Sequence, residues 1–296
     1  MDMRVLMATL MATIAASAAA AGNGDAVPFE LDRNVILVPV RVAGRGPYLA
    51  MIDTGTDPSA IDPALAKELG LKLGESGEID GAGTESAQAS ETMLPDVALG
   101  SVVAKNVEAL AGASVTTIGN ALGKPVRIIL GKSFLDRRIV QVDFPGRVLR
   151  FPANAPNASP ASPDRAVLRF RYDDDVMLEG VRIDGKPVRA ILDTGSNGSV
   201  KLTPEAVRAL GLHAQATAGK TSESTGFRGS YAIREGKLES LDLGTIHVAG
   251  PAAVFWSPGT GHDGKPWDAN IGNAVLKDFV VTLDAVDGIL VLEKPR

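Results

Sequence analysis

Two tripeptides, Asp53-Thr54-Gly55 and Asp193-Thr194-Gly195, carry the side chains in this sequence best suited to chemistry. One Asp-Thr-Gly is expected by chance in roughly one chain in ten to twenty of this length, and alone it reads as a polar turn closing a strand. Two copies, each directly behind an apolar strand, need a further explanation. Carboxylates brought close together cannot both ionise cheaply, so they share a proton and titrate as a pair. The ionised member can take a proton from a water as it attacks a carbonyl, while the protonated member hydrogen-bonds the carbonyl oxygen. That chemistry hydrolyses an amide without a metal. Gly55 and Gly195 permit close backbone approach. The Thr54 and Thr194 hydroxyls can bond across an interface between loops, and Thr56 and Ser196 can reach the carboxylates.

The elements that must position these loops recur in two copies. In the first, Val38–Val42 and Tyr48–Ile52 are apolar strands around a Gly-containing turn and run into Asp53. In the second, Gly180–Ile183 and Val188–Leu192 do the same before Asp193. After each motif comes a short helix, predicted over Pro63–Leu71 and Pro204–Leu212, with Pro in its first turn and Gly near its end. The copies realign at Leu130-Gly131 and Ile271-Gly272, 78 residues after Asp53 and 79 after Asp193, and then match without a gap to Phe151 and Leu292. Between these anchors, Gly77–Gln88 and Gly219–Tyr231 read as hairpin tips, followed by strands near Pro95–Leu99 and Leu238–Leu243. Many short strands, few helices and frequent Gly predict an all-β fold of two pseudo-symmetric barrel-like lobes, with a short helix in each and a cleft between them. The expected boundaries are 27–153 for the first lobe, a Pro/Ser/Ala/Asn linker at 154–165, and 166–296 for the second lobe.

Composition narrows the function. The chain has 296 residues, a formal net charge of −5 and no clustered Lys or Arg, which argues against nucleic acid as a partner. Residues 1–21 read as a signal peptide: Arg4, an apolar run over Val5–Ala15, then small residues up to Ala19-Ala20-Ala21. Export to the periplasm or the medium follows, without stable membrane insertion after cleavage, since no later stretch is apolar enough to span a bilayer. The chain has no cysteine, so it holds no thiol nucleophile, zinc–thiolate site or disulfide. His213, His247 and His262 lie far apart, lack metal-ligand spacing and read as packing or surface residues, and there is no G-x-S-x-G elbow. No metal or other cofactor is expected.

The segments Ile52-Asp53-Thr54-Gly55-Thr56 and Leu192-Asp193-Thr194-Gly195-Ser196, with Leu130-Gly131 and Ile271-Gly272, resemble the aspartic peptidase clan of pepsin-like and retropepsin-like enzymes. The likeness is greatest to bacterial exported proteins with two retropepsin-like lobes on one chain. It covers nearly everything after the signal. It implies an aspartic endopeptidase whose catalytic residues are Asp53 and Asp193, with the apolar-Gly elements flanking the catalytic loops and a β-hairpin flap over a peptide or protein substrate. Because each half supplies one aspartate, a monomer suffices. Two features depart from the pattern. Asn270 stands where a second apolar residue is usual, and Ile79–Gly83 carries no flap aromatic. These leave open a non-catalytic or latent peptide-binding protein on the same fold.

Gly81 and Gly83 in the first hairpin and Phe227 and Tyr231 in the second are the substrate-binding candidates. Trp256 and Trp267 read either as core or as subsite walls. Asp57 adds a charge beside the first motif that could raise the upper apparent pKa of the pair. The Asp173-Asp174-Asp175 run lacks calcium-loop spacing and reads as a solvated turn.

Overall fold

A computed structural model describes residues 26–154 and 161–295. The expected signal segment 1–21, and residues 155–160 of the expected linker, lie outside the described residues.

Each half folds as a small closed sheet, and the two sheets share a strand order. In the first half Val35–Val42 is followed across the sheet by Arg45–Ile52, Val126–Leu130, Ser59–Ile61, Val102–Gly112, Gln88–Leu99 and Ser76–Glu78. In the second the order is Val176–Ile183, Lys186–Leu192, Ala269–Ile271, Val200–Leu202, Ala252–Trp256, Gly229–Lys237 and Lys220–Gly226. Closure comes from pairing Arg41 with Ala98 in one half and Val181 with Leu243 in the other. Alternating burial along Val35–Val42 and Val176–Ile183 puts Val38, Val40, Val42, Val181 and Ile183 into one continuous apolar core.

The strand before each motif lies parallel to the strand ending in the apolar-Gly element: Arg45–Ile52 beside Val126–Leu130, and Lys186–Leu192 beside Ala269–Ile271. The expected helices form at Pro63–Glu68 and Pro204–Leu210. Asp62 caps the first by accepting from the Leu65 N–H at 2.9 Å, and Thr203 caps the second by accepting from the Ala206 N–H at 3.1 Å. Each half adds two helices to the one expected from sequence: Ser114–Leu122 and Lys132–Leu135 in the first, His213–Ala218 and Asn273–Leu276 in the second. Ser114–Leu122 contains Ser, two Thr, Gly and Asn, all weak helix formers, and is fixed by tertiary packing of Val115 and Leu122 against Val126 and Ile129.

The halves are joined by a six-stranded antiparallel sheet. Val27–Pro28, Val148–Arg150 and Ile139–Asp143 come from the first half; Val280–Asp284, Ile289–Glu293 and Arg165–Tyr172 come from the second. At the seam Gln141 pairs with Thr282, and its side-chain amide donates to Thr282 Oγ1 at 3.1 Å. These two residues are equivalents in the gap-free part of the repeat, so the pseudo-two-fold axis passes between them. Beneath this sheet Phe29 packs edge-on against the fully buried Phe144, with centroids 6.1 Å apart.

Candidate active site

The same axis brings the two Asp-Thr-Gly loops together. Each loop begins with an aspartate N–H donating to the end of the parallel strand, Asp53 to the Leu130 carbonyl and Asp193 to the Ile271 carbonyl, both at 3.0 Å. Each is then backed by the apolar-Gly turn. The Lys132 N–H donates to the Thr56 carbonyl and the Asn273 N–H to the Ser196 carbonyl, both at 2.8 Å. A Cβ on Gly131 would strike the Thr56 and Pro58 carbonyls, and one on Gly272 would strike Ser196 and Gly198. Glycine at both positions is therefore a matter of space.

Across the axis the threonines exchange hydrogen bonds. The Thr54 N–H donates to Thr194 Oγ1 and the Thr194 N–H to Thr54 Oγ1, both at 3.0 Å. Thr54 Oγ1 donates to the Leu192 carbonyl at 2.9 Å, and Thr194 Oγ1 to the Ile52 carbonyl at 3.1 Å. Both hydroxyls are buried with donor and acceptor capacity in use, which locks the loops in register. Asn273 adds a tie: its amide donates to the Asn34 carbonyl at 2.7 Å and the Thr194 carbonyl at 2.6 Å.

Asp53 and Asp193 meet at the floor of a cleft between the halves. A Cβ on Gly55 would sit 2.9 Å from Asp193 Cγ, and one on Gly195 would collide with the Asp53 carboxyl group. Each carboxyl thus packs on the bare glycine of the opposite loop. Asp53 is buried, and Oδ1 accepts from the Gly55 N–H at 2.8 Å while Oδ2 accepts from Thr56 Oγ1 at 2.6 Å. Asp193 is half-buried. Its Oδ1 accepts from the Gly195 and Ser196 N–H groups at 2.9 and 3.0 Å, and its Oδ2 from the Asn270 amide at 2.6 Å. Burial, and then the adjacent Asp193 carboxylate, push Asp53 up to about 8, so one proton stays on the pair through neutral pH. The Tyr172 hydroxyl donates to the Thr54 carbonyl at 3.4 Å. Burial and the neighbouring Asp53 raise its pKa, so it stays protonated.

The cleft encloses about 410 Å³. Its roof is made by both hairpins, which touch tip to tip. Gly83 bridges to Arg228, the Arg228 N–H donates to the Ala82 carbonyl at 2.8 Å, and the Glu85 N–H donates to the Arg228 carbonyl at 2.9 Å. Gly81 and Phe227 line the cleft beneath this contact; Gly83 belongs to the contact itself, at φ +130° and against the Arg228 backbone. Tyr231 is buried on the second-half wall with Trp256 and Trp267. The loop 257–268 supplies His262, stacked on the Trp256 ring at 3.5 Å and 8°. Burial, then Lys201 and Lys265, push its imidazole down to about 3, so it is a neutral wall residue.

Three features of the site escaped sequence reasoning. Asp175 lies at the end of an acidic run whose first two members are exposed, yet it turns into the cleft and accepts from Trp267 Nε1 at 2.9 Å; burial raises its pKa. Its place next to the buried Val176, as the strand re-enters, was the available signal. His262 has no signature in sequence. Asn270, which stands where a second apolar residue is usual, donates to Asp193. Asp57 does not face the carboxyl pair: it is directed at Lys132 Nζ, 3.6 Å away, which offsets its charge. Among the described residues no group of three or more His, Asp or Glu side chains is arranged to hold a metal ion, and no helix is long and apolar enough to cross a membrane.

Comparison with known families gives one match: the family described as aspartyl protease, over residues 38–134 and again over 180–266, together more than half of the chain. Each matched segment contains one Asp-Thr-Gly loop. No curated protein matches the chain.

Proposed function

The chain belongs to the aspartyl protease family, and we propose that it is an endopeptidase that hydrolyses peptide bonds with Asp53 and Asp193 as its catalytic pair. The observation that carries this reading is the reciprocal Thr54–Thr194 lock, which packs each aspartate's carboxyl group on the other loop's glycine. A water held between the carboxyl groups attacks the scissile carbonyl carbon and gives its proton to the ionised member. The protonated member donates to the carbonyl oxygen, forming a neutral tetrahedral diol. Collapse of the diol breaks the C–N bond; the nitrogen takes a proton from the pair and leaves as the amine, while a diol hydroxyl returns its proton to the carboxylate. The pair ends with the single proton it began with.

The backbone donors at Gly55, Gly195 and Ser196 keep the carboxyl groups in place without moving during the reaction. An extended segment of polypeptide fits between the floor and the hairpin roof, with Gly81, Phe227 and Tyr231 against it. The roof excludes water once a substrate is enclosed. Both aspartates lie on one chain, so a monomer is sufficient. The N-terminal 21 residues are proposed to direct export to the periplasm or the medium. Production of the full-length chain in a bacterial host checks this: processed protein outside the cytoplasm is expected, and unprocessed protein kept inside overturns it.

The central test incubates the protein with a mixed peptide library between about pH 3 and 8, beside Asp193→Asn. Cleavage by the wild type that is lost in the variant is the expected result. Cleavage that survives in the variant, or a wild type that cuts nothing at any pH, overturns the reading.

A further inference from the structure

The two carboxyl groups are held by different chemistry at one position each. In the first half the strand residue two before Gly131 is Ile129, fully buried among Met51, Val115, Leu122 and Val126. Its equivalent in the second half is Asn270. The exchange is not a slip in register: Ile129 pairs with Met51, two residues before Asp53, and Asn270 pairs with Ile191, two residues before Asp193. A buried amide in a wall of Ile191, Trp256 and Trp267 is costly unless bonded. Asn270 bonds at one end only: Nδ2 donates to Asp193 Oδ2 at 2.6 Å, while Oδ1 is buried without a partner. Stability alone favours the apolar residue that the first half retains. The neighbouring hydroxyl has also been displaced, because Thr56 Oγ1 bonds Asp53 whereas Ser196 Oγ is buried with no partner.

Taking the protease reading as its basis, we propose that Asn270 is a positioning residue that fixes Asp193 as the ionised, water-activating member of the pair and leaves the shared proton on Asp53. Three N–H donors converge on Asp193, and none of them can accept. A proton on Asp193 Oδ2 would point at the Asn270 amide hydrogens. At Asp53 the Oδ2 partner is a hydroxyl, which rotates to accept as readily as it donates. The upward displacement of Asp53 to about 8 agrees with a proton held there.

Other titratable groups lie around the pair. The Asp53 carboxyl packs on Gly195, neutral Tyr172 donates to Thr54 of the opposite loop, and Asp175, in the turn after Tyr172, adds a carboxyl that interacts with Asp193. Lys201, Lys265, Arg33 and Glu223 line the cleft around it, with neutral His262. All of these are common to the wild type and the variants below, so a difference between variants reports position 270.

The experiment is a carboxyl ¹³C NMR titration of the aspartates in the wild type, Asn270→Ile and Asn270→Asp, with kcat and KM followed over the same pH range. The wild type is expected to show Asp193 ionised and Asp53 protonated near pH 6. A hydrogen bond to the charged form favours ionisation, so its loss in Asn270→Ile moves the lower apparent ionisation of the pair up by about one pH unit. In the same variant kcat falls about tenfold at low pH with KM little changed. Asn270→Asp keeps the shape, replaces a donor by an acceptor and moves the ionisation at least as far. Adding Ser196→Thr to Asn270→Ile recreates the first-half arrangement and brings the ionisation part of the way back. The proposal is overturned if Asp53 is the ionised member in the wild type, or if either folded variant titrates as the wild type does. A wild type that cleaves nothing sinks the protease reading but leaves the titration to decide the role of Asn270.

Discussion

At Asp53 the outer carboxyl oxygen takes a hydroxyl from its own loop; at Asp193 the equivalent oxygen takes an amide from the neighbouring strand. Everything behind the two loops is closely matched: the aspartate N–H to the parallel strand, the glycine that admits the carbonyl, the exchanged threonine hydrogen bonds. The roof differs more than the floor. In the first half, two long strands, Gln88–Leu99 and Val102–Gly112, run unbroken from the hairpin to the barrel. In the second the same path is divided into Gly229–Lys237, Ser240–Leu243, Ile246–Ala249 and Ala252–Trp256, followed by the loop that brings in His262 and Trp267. The backbone that places the carboxyl groups tolerates little change, because a shift of about an ångström there is costly in rate. The side chains that touch the carboxyl groups and the walls that line the cleft differ between the halves.

Substitutions in the two halves test how far they are alike. The largest effect is expected where the halves are most alike: Asp53→Asn and Asp193→Asn should each lower peptide cleavage by about 10³-fold or more, measured as kcat/KM. Next come Thr54→Val and Thr194→Val. Each removes a donor and an acceptor from buried partners and should cost about 2–3 kcal/mol in chemical denaturation, by similar amounts in the two halves.

A third test separates the halves by pH. Asp53 has a folded value of about 8, above its ordinary 3.8, so the fold holds one proton more than the unfolded chain between those values. Stability from the protonated carboxyl is complete below about pH 4 and is lost as pH rises through about 8. Asp53→Asn should therefore gain stability relative to the wild type as pH rises from about 4 to about 8, with the gap closing again toward pH 4 in paired melts. The alkaline limb of the cleavage profile should lie near pH 8 for the same reason.

In the roof, Gly83→Ala strikes the Arg228 backbone and should part the hairpin tips, raising KM about tenfold with little change in melting temperature. The smallest contrast lies at the helix caps. Asp62 accepts from the Leu65 N–H, from Thr116 Oγ1 at 2.6 Å and from Arg127, whereas Thr203 accepts only from Ala206 among its cap partners. Asp62→Ala should cost about 2 kcal/mol and Thr203→Ala about 1 kcal/mol in urea titrations.

The two-lobed β architecture was legible from sequence because it rests on strong local signals. Apolar strands ending in Asp-Thr-Gly, Pro and Gly at the ends of Pro63–Glu68 and Pro204–Leu210, and the spacing to Gly131 and Gly272 all lie within short stretches of chain. What was not legible depends on groups far apart in sequence. Ser114–Leu122 has poor helix formers and is shaped by the strand it covers. Asp175 looks like its exposed neighbours until Trp267, 92 residues later, reaches it. Asn270 stands where the sequence pattern expects an apolar residue, and nothing near it announces that its amide ends on a carboxylate 77 residues earlier.

The seam at Gln141 and Thr282 joins two halves of one polypeptide rather than two copies of one subunit. In an assembly of identical subunits one gene writes both sides, so any substitution appears twice and the two carboxyl groups remain equals. Here Ile129 and Asn270 are separate codons. Each can mutate without the other, so a difference between the two sides can be inherited.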